Sequence, residues 1–195
     1  MINFDSHEKV TFIDRFWEAT VLKLFPYSLR PNHLTVFRFI CVPFVVLLLA
    51  FEVYYWGLGL FAFAALTDTW DGAMARTRKQ ITDWGKMFDP LADKLLIGST
   101  ALVVIPQLLT FKVAMVIVAL EVLLIAEAIY LKRFKKKEIQ AVTVGKIKMV
   151  LQSFGVGLLL LHLIFPFFWV LPLAAALIYI SIGFAVTSLL VYRSI

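Results

Sequence analysis

Asp68-Thr69-Trp70-Asp71-Gly72-Ala73-Met74-Ala75-Arg76, followed by Gly85, Asp89 and Asp93, sits where two apolar runs meet a short charged loop. Helices that cross a bilayer need about 20 apolar residues, and the runs on either side are of that order. An ionised Asp at the centre of such a helix costs on the order of 3 kcal/mol, less near the interface. Several left unpaired would strain a protein whose whole stability is about 5–15 kcal/mol. Something must neutralise them. Arg76, Lys86 and Lys94 are near in sequence, but clustered carboxylates suit divalent cations better.

Spacing strengthens the point. Asp68 and Asp71 are three residues apart and Asp89 and Asp93 four, so each pair shares one face of its helix. At ~1.5 Å rise per residue on antiparallel neighbours, Asp71 and Asp89 lie roughly 8 Å from the loop edge, and Asp68 and Asp93 roughly 12–14 Å. The two pairs therefore meet at one depth. Carboxylate-only ligation is Mg²⁺ or Mn²⁺ chemistry, and no Cys/His cluster exists for zinc. Gly72, Ala75 and Gly85 remove bulk beside the carboxylates, which also serves ordinary helix packing. Arg76 can reach a diphosphate as a planar fork, or act as an interfacial anchor.

Further out, the whole chain has the same character. Of 195 residues, 62% are hydrophobic and 16% charged. A soluble domain is nearer half apolar and a quarter charged. The expected architecture is an all-α integral membrane protein, one domain over residues 1–195, with a six-helix bundle over 34–191. The spans run roughly 34–53, 57–76, 85–106, 111–133, 145–165 and 168–191. The expected breaks are Tyr54-Tyr55-Trp56-Gly57, residues 77–84, Pro106-Gln107, residues 132–140 and Phe165-Pro166. Arg30, Arg78, Lys79, Lys132, Arg133, Lys135, Lys136, Lys137 and Arg193 fall on one side, with Lys112 opposite. The positive-inside rule makes that side, with both termini, cytoplasmic. This accounts for the net charge of +6 without nucleic acid, and a basic face also suits anionic lipid headgroups.

Residues 8–25 differ in kind. Val10, Ile13, Phe16, Trp17, Val21 and Leu24 recur at helical spacing, with Glu8, Lys9, Asp14, Arg15 and Glu18 on other faces. An interfacial amphipathic helix is expected there, too charged to cross. Polar residues come first, so no cleavable signal is expected. Cys41 is alone, so no intrachain disulfide forms.

Asp68-x2-Asp71-Gly72-x2-Ala75-Arg76-x8-Gly85-x3-Asp89-x3-Asp93 resembles the signature of the CDP-alcohol phosphotransferase family at every fixed position. The resemblance implies an Mg²⁺-dependent transfer at the cytoplasmic face of the cell membrane, from a CDP-linked lipid such as CDP-diacylglycerol to a polar alcohol. Asp68, Asp71 and Asp89 would hold a pair of Mg²⁺ ions, or Mn²⁺. Asp93 would be the base that takes the hydroxyl proton and would touch the second metal. Asn32, Thr35, Gly72, Arg76 and Thr82 match positions that contact the CDP donor. Arg38 completes an N-x-L-T-x-x-R pattern from Asn32, and the family leaves room for a homodimer.

For the acceptor, Gly145-Lys146-Ile147-Lys148-x3-Gln152 and Asp89-Pro90-Leu91-Ala92-Asp93-Lys94 resemble the phosphatidylglycerophosphate synthase branch. Lys146 and Lys148 would then meet the phosphate of glycerol 3-phosphate, or else anchor the span at the interface. That branch usually carries an Arg-Glu pair in its fourth span. Here the pair reads Leu120-Glu121, and inositol phosphate, serine and phosphatidylglycerol remain alternative acceptors. A cation transporter could also place aspartates in spans, but would not need Gly72, Ala75, Arg76 and Gly85 at these spacings, and no inverted repeat is seen.

Overall fold

The computed structural model describes residues 12–26, 29–78, 80, 82–134 and 143–194. Among these the chain forms seven α-helices and no strand: α1 Phe12–Ala19, α2 Pro31–Ala50, α3 Tyr54–Thr77, α4 Asp83–Leu108, α5 Phe111–Phe134, α6 Thr143–Ile164 and α7 Val170–Ser194. The all-helical expectation holds, and α2 to α7 fall within a few residues of the six expected spans. Four stretches, Pro31–Ala50, Met87–Leu108, Val144–Ile164 and Val170–Leu190, have both the length and the apolarity to cross a membrane. α3 and α5 have the length, 24 residues each, but carry Asp68, Asp71 and Arg76, and Glu121 and Glu127, respectively.

Two breaks move. Tyr54-Tyr55-Trp56-Gly57 is helical, and the chain turns instead at Phe51–Val53. Glu52 takes φ 62° there, while its N–H bonds Leu49 O at 3.1 Å and Val53 N–H bonds Leu48 O at 2.8 Å. This is a Schellman stop, with Glu in the place that usually favours Gly. α4 runs through Pro106 to Leu108 and stops at Leu109–Thr110. Pro106 withholds the donor that Leu102 would receive and crowds that carbonyl, and the helix ends two residues later.

The chain forms two compact units, the described parts of Met1–Phe44 with Leu60–Leu96, and Val45–Gly59 with Ile97–Ile195. In the first, the stretch expected as an amphipathic helix over 8–25 holds α1 and a 3-10 turn over Leu22–Leu24; Glu8, Lys9 and Val10 lie outside the described residues. Leu22, Leu34, Trp70, Ala73 and Met74 form a buried cluster, with Trp17, Val21, Phe25 and Leu29 packed on it. Trp70 is its hub, with ring centroids of Trp17, Phe25 and Phe63 at 6.0, 5.9 and 5.8 Å. Arg78, read from sequence as a topological charge, donates to the carbonyls of Leu22, Phe25 and Leu29 at 3.1–3.4 Å. It closes the turn that follows α1.

In the second unit α6 and α7 pack along each other. Val156, Leu159, Leu160, Ala174 and Ile178 are buried, and a Cβ on Gly155 would come within 2.9 Å of Ile178. Exposed aromatics gather at two turns of this unit, Phe51, Tyr55 and Trp56, and Phe165, Phe167, Phe168 and Trp169. Tyr55 meets Phe165 edge-on at 6.1 Å. Such a belt suits a membrane–water interface.

Candidate active site

In the first unit α2, α3 and α4 each contribute one face to a polar cluster. Thr35 and Arg38 stand one turn apart on α2, Asp68 and Asp71 on α3, Asp89 and Asp93 on α4. Arg38 is the centre. Its Nη1 donates to Asp68 Oδ1 at 3.0 Å and to Asp93 Oδ1 at 2.5 Å, and its Nη2 donates to Asp71 Oδ2. The Thr35 hydroxyl donates to Asp89 Oδ1. The Arg38 side chain is fully buried, Asp71 nearly so, Asp93 mostly, and Asp68 is 43% exposed. The cluster therefore grades from sealed to open along α3.

Charge does not balance. One guanidinium faces four carboxylates, and Arg38 Nε has no partner. Buried charge is tolerated when it is compensated, and here the anions outnumber the cation. Among the described residues no three His, Cys, Asp or Glu side chains are arranged to enclose an ion, because Arg38 lies between the aspartates. The donor chemistry still fits a hard divalent cation, since every candidate ligand is a carboxylate oxygen with uncompensated charge.

Beside the carboxylates lies a cradle. Thr82 caps α4: Gly85 N–H donates to Thr82 Oγ1 at 3.0 Å. The Thr82 hydroxyl donates in turn to Asn32 Oδ1 at 2.8 Å. A Cβ on Gly85 would lie 3.1 Å from Thr82 Oγ1, 3.2 Å from Asn32 Oδ1 and 3.3 Å from Asp89 Oδ2. Glycine at this position lets three polar side chains converge. A cavity of about 300 Å³ opens here, lined by Arg30, Pro31, Asn32, Gln80 and Thr82.

Gly72 and Arg76 also meet, since a Cβ on Gly72 would sit 3.3 Å from both terminal nitrogens of Arg76. Asp14 corrects the sequence reading. It was expected on a polar face of the interfacial helix, yet its side chain is 3% exposed and paired with Arg76. Helical spacing identified the apolar stripe but could not reveal a charged partner 62 residues away.

The two lysines expected at the acceptor belong to the second unit and are not equivalent. Lys146 is exposed, whereas Lys148 is buried and its Nζ donates to Glu121 Oε1. Lys148 thus supplies the cation that Glu121 lacks from its neighbour Leu120. Gln152 and Ser181 are buried near this pair, around a small cavity that Lys148 also lines. His33 is structural, its Nδ1 accepting from Arg30 N–H at 3.3 Å at the start of α2.

Comparison with known proteins places the whole chain. Residues 28–187 match the family model for CDP-alcohol phosphatidyltransferase. The chain is 31% identical over 171 residues to the CDP-diacylglycerol–glycerol-3-phosphate 3-phosphatidyltransferase of Shigella flexneri serotype 5b, covering 84% of this chain and 92% of that one. The protein of the same name from Escherichia coli K12 aligns with equal identity and coverage. That of Rickettsia typhi is 31% identical over 137 residues, 67% of this chain and 75% of its own.

Proposed function

Because the chain belongs to the CDP-alcohol phosphatidyltransferase family, we propose that it moves the phosphatidyl group of CDP-diacylglycerol onto glycerol 3-phosphate, releasing CMP and forming phosphatidylglycerol phosphate. The observation that carries this reading is the convergence of Asp68, Asp71 and Asp93 on one buried cation, with Asp89 held by Thr35. The acceptor follows from the named relatives, which align with most of this chain.

The residues divide the work. Asn32 and Thr82, which line the cavity, form the wall against which the cytidine end of the donor lies, Thr35 serves the donor through Asp89, to which its buried hydroxyl donates, and Gly72 and Arg76 receive the diphosphate. Asp93 accepts the proton of the acceptor hydroxyl. That oxygen then attacks the phosphorus bearing the diacylglycerol, and the bond from this phosphorus to the bridging oxygen of CMP breaks. Asp68, Asp71, Asp89 and Asp93 would hold divalent metal, Mg²⁺ as a pair or Mn²⁺ in its place, whose contribution is to neutralise the diphosphate and the charge that develops on the bridging oxygen. Lys146, exposed at the start of α6, is the lysine suited to the acceptor phosphate, while Lys148 is buried and taken up by Glu121.

The surroundings follow from the same reading. Residues 1–195 act as one catalytic domain, α2 to α7 span the cell membrane six times, and both termini and the site face the cytoplasm. α1 lies in the interface beside lipid headgroups, and a homodimer is compatible with this arrangement. The test is CMP release from CDP-diacylglycerol by purified protein, with and without Mg²⁺, across glycerol 3-phosphate, inositol phosphate, serine and phosphatidylglycerol. Preference for glycerol 3-phosphate is expected. Preference for an acceptor without a phosphate would change the product, and no CMP release with any of them would end the reading.

A further inference from the structure

An ion pair joins α1 to the end of α3. Arg76 Nε donates to Asp14 Oδ2 at 2.9 Å and Nη2 donates to Asp14 Oδ1 at 2.7 Å, a two-point fork. Asp14 is sealed from solvent while Arg76 keeps 29% exposure. Desolvating a carboxylate this fully is costly unless it is paired and bonded. On an interfacial helix, a free Asp would turn to water. Its burial therefore marks a built position rather than a surface contact.

The neighbourhood fixes both partners. α1 and the turn after it dock on Trp70 through Trp17, Val21, Leu22 and Phe25, and Arg78 ties that turn to the end of α3. Gly72, one turn before Arg76, leaves the guanidinium lying directly over the α3 backbone. Any side chain at position 72 would lift it.

We infer that Asp14 is a positioning residue for the donor: it sets the guanidinium plane of Arg76 across Gly72, so that a diphosphate meets a pre-aimed fork. This rests on the reading that Arg76 receives the donor diphosphate. It gives α1 a task beyond membrane attachment, because the helix that touches lipid headgroups also aims the group that binds a lipid-linked diphosphate. Holding a long side chain in its working rotamer removes an ordering cost from each binding event.

The experiment is steady-state kinetics of the full chain in mixed micelles, varying CDP-diacylglycerol and glycerol 3-phosphate separately. Asp14→Asn is expected to raise KM for the donor about tenfold, a loss typical of a misplaced binding group, with kcat and acceptor KM within about twofold. Asp14→Glu, which keeps the charge, should recover most of the affinity. In an Arg76→Ala background Asp14→Asn should add nothing further. An unchanged donor KM in Asp14→Asn, beside a raised one in Arg76→Ala, overturns the inference and leaves the donor reading of Arg76 standing. An unchanged donor KM in Arg76→Ala overturns both. A drop in kcat and thermal stability without a change in donor KM would show Asp14 to be merely structural.

Discussion

Two of the buried charge clusters among the described residues, around Lys148 in one unit and around Arg38 in the other, are built on opposite principles. Around Lys148, the ammonium is matched by the Glu121 carboxylate, with Gln152 and Ser181 buried nearby. Around Arg38, one guanidinium meets three carboxylates, with a fourth at Thr35. The first is balanced and so behaves as a structural pin between α5 and α6. The second carries surplus anionic charge that folding alone has no reason to keep. Surplus charge held on rigid helices is the mark of a site that waits for cations and phosphate.

The largest effect should come from the surplus cluster's most buried acid on α4. Asp93→Asn preserves shape and hydrogen bonding but cannot accept a hydroxyl proton, and CMP release should fall by about 10²–10⁴-fold. Binding of a CDP-donor analogue should stay within a few-fold of the parent. Activity close to the parent's would remove Asp93 as the base.

Removing the cation sharpens the contrast further. Arg38→Met leaves buried carboxylates uncompensated, a change expected to cost about 3–5 kcal/mol in thermal or denaturant unfolding. Mg²⁺ should restore much of this loss, so the gain in stability on adding Mg²⁺ should be larger in the variant than in the parent. Equal gains would mean that Arg38 and divalent ions do not serve the same carboxylates.

The balanced pair should behave in the other way. Lys148→Met alone strands Glu121 and should destabilise by about 3 kcal/mol, whereas Lys148→Met with Glu121→Leu should come back close to the parent. The double variant should keep its KM for glycerol 3-phosphate, while Lys146→Ala should raise it with little change in the donor KM. A raised acceptor KM in the double variant would give Lys148 a direct part in acceptor binding.

Much of this is legible in the sequence. Apolar run lengths placed α2 to α7, because lipid leaves helices few alternatives. The four aspartates stood out because charge in an apolar run needs a reason. The stops were less legible. Tyr54–Gly57 looks like an interfacial break, but the left-handed Glu52 ends α2 earlier, and nothing in a Phe-Glu-Val triplet announces that geometry. Partnership was the least legible layer. Arg38 was visible as part of a pattern, but its place among the aspartates depends on three helices meeting. Asp14 reads only as lying off the apolar face, because local periodicity cannot see Arg76. Lys146 and Lys148 looked alike in sequence, and only the 100° step between successive residues, with Glu121 on the facing helix, separates them.

The most direct test of the contrast is Mn²⁺ binding to the purified protein, read by electron paramagnetic resonance of the free ion. The parent should bind Mn²⁺, with binding lost or strongly weakened in Asp68→Ala and Asp89→Ala and unchanged in Glu121→Gln. Binding that survives both aspartate variants, or that disappears with Glu121, would contradict the claim that the unbalanced cluster is the metal-dependent active site.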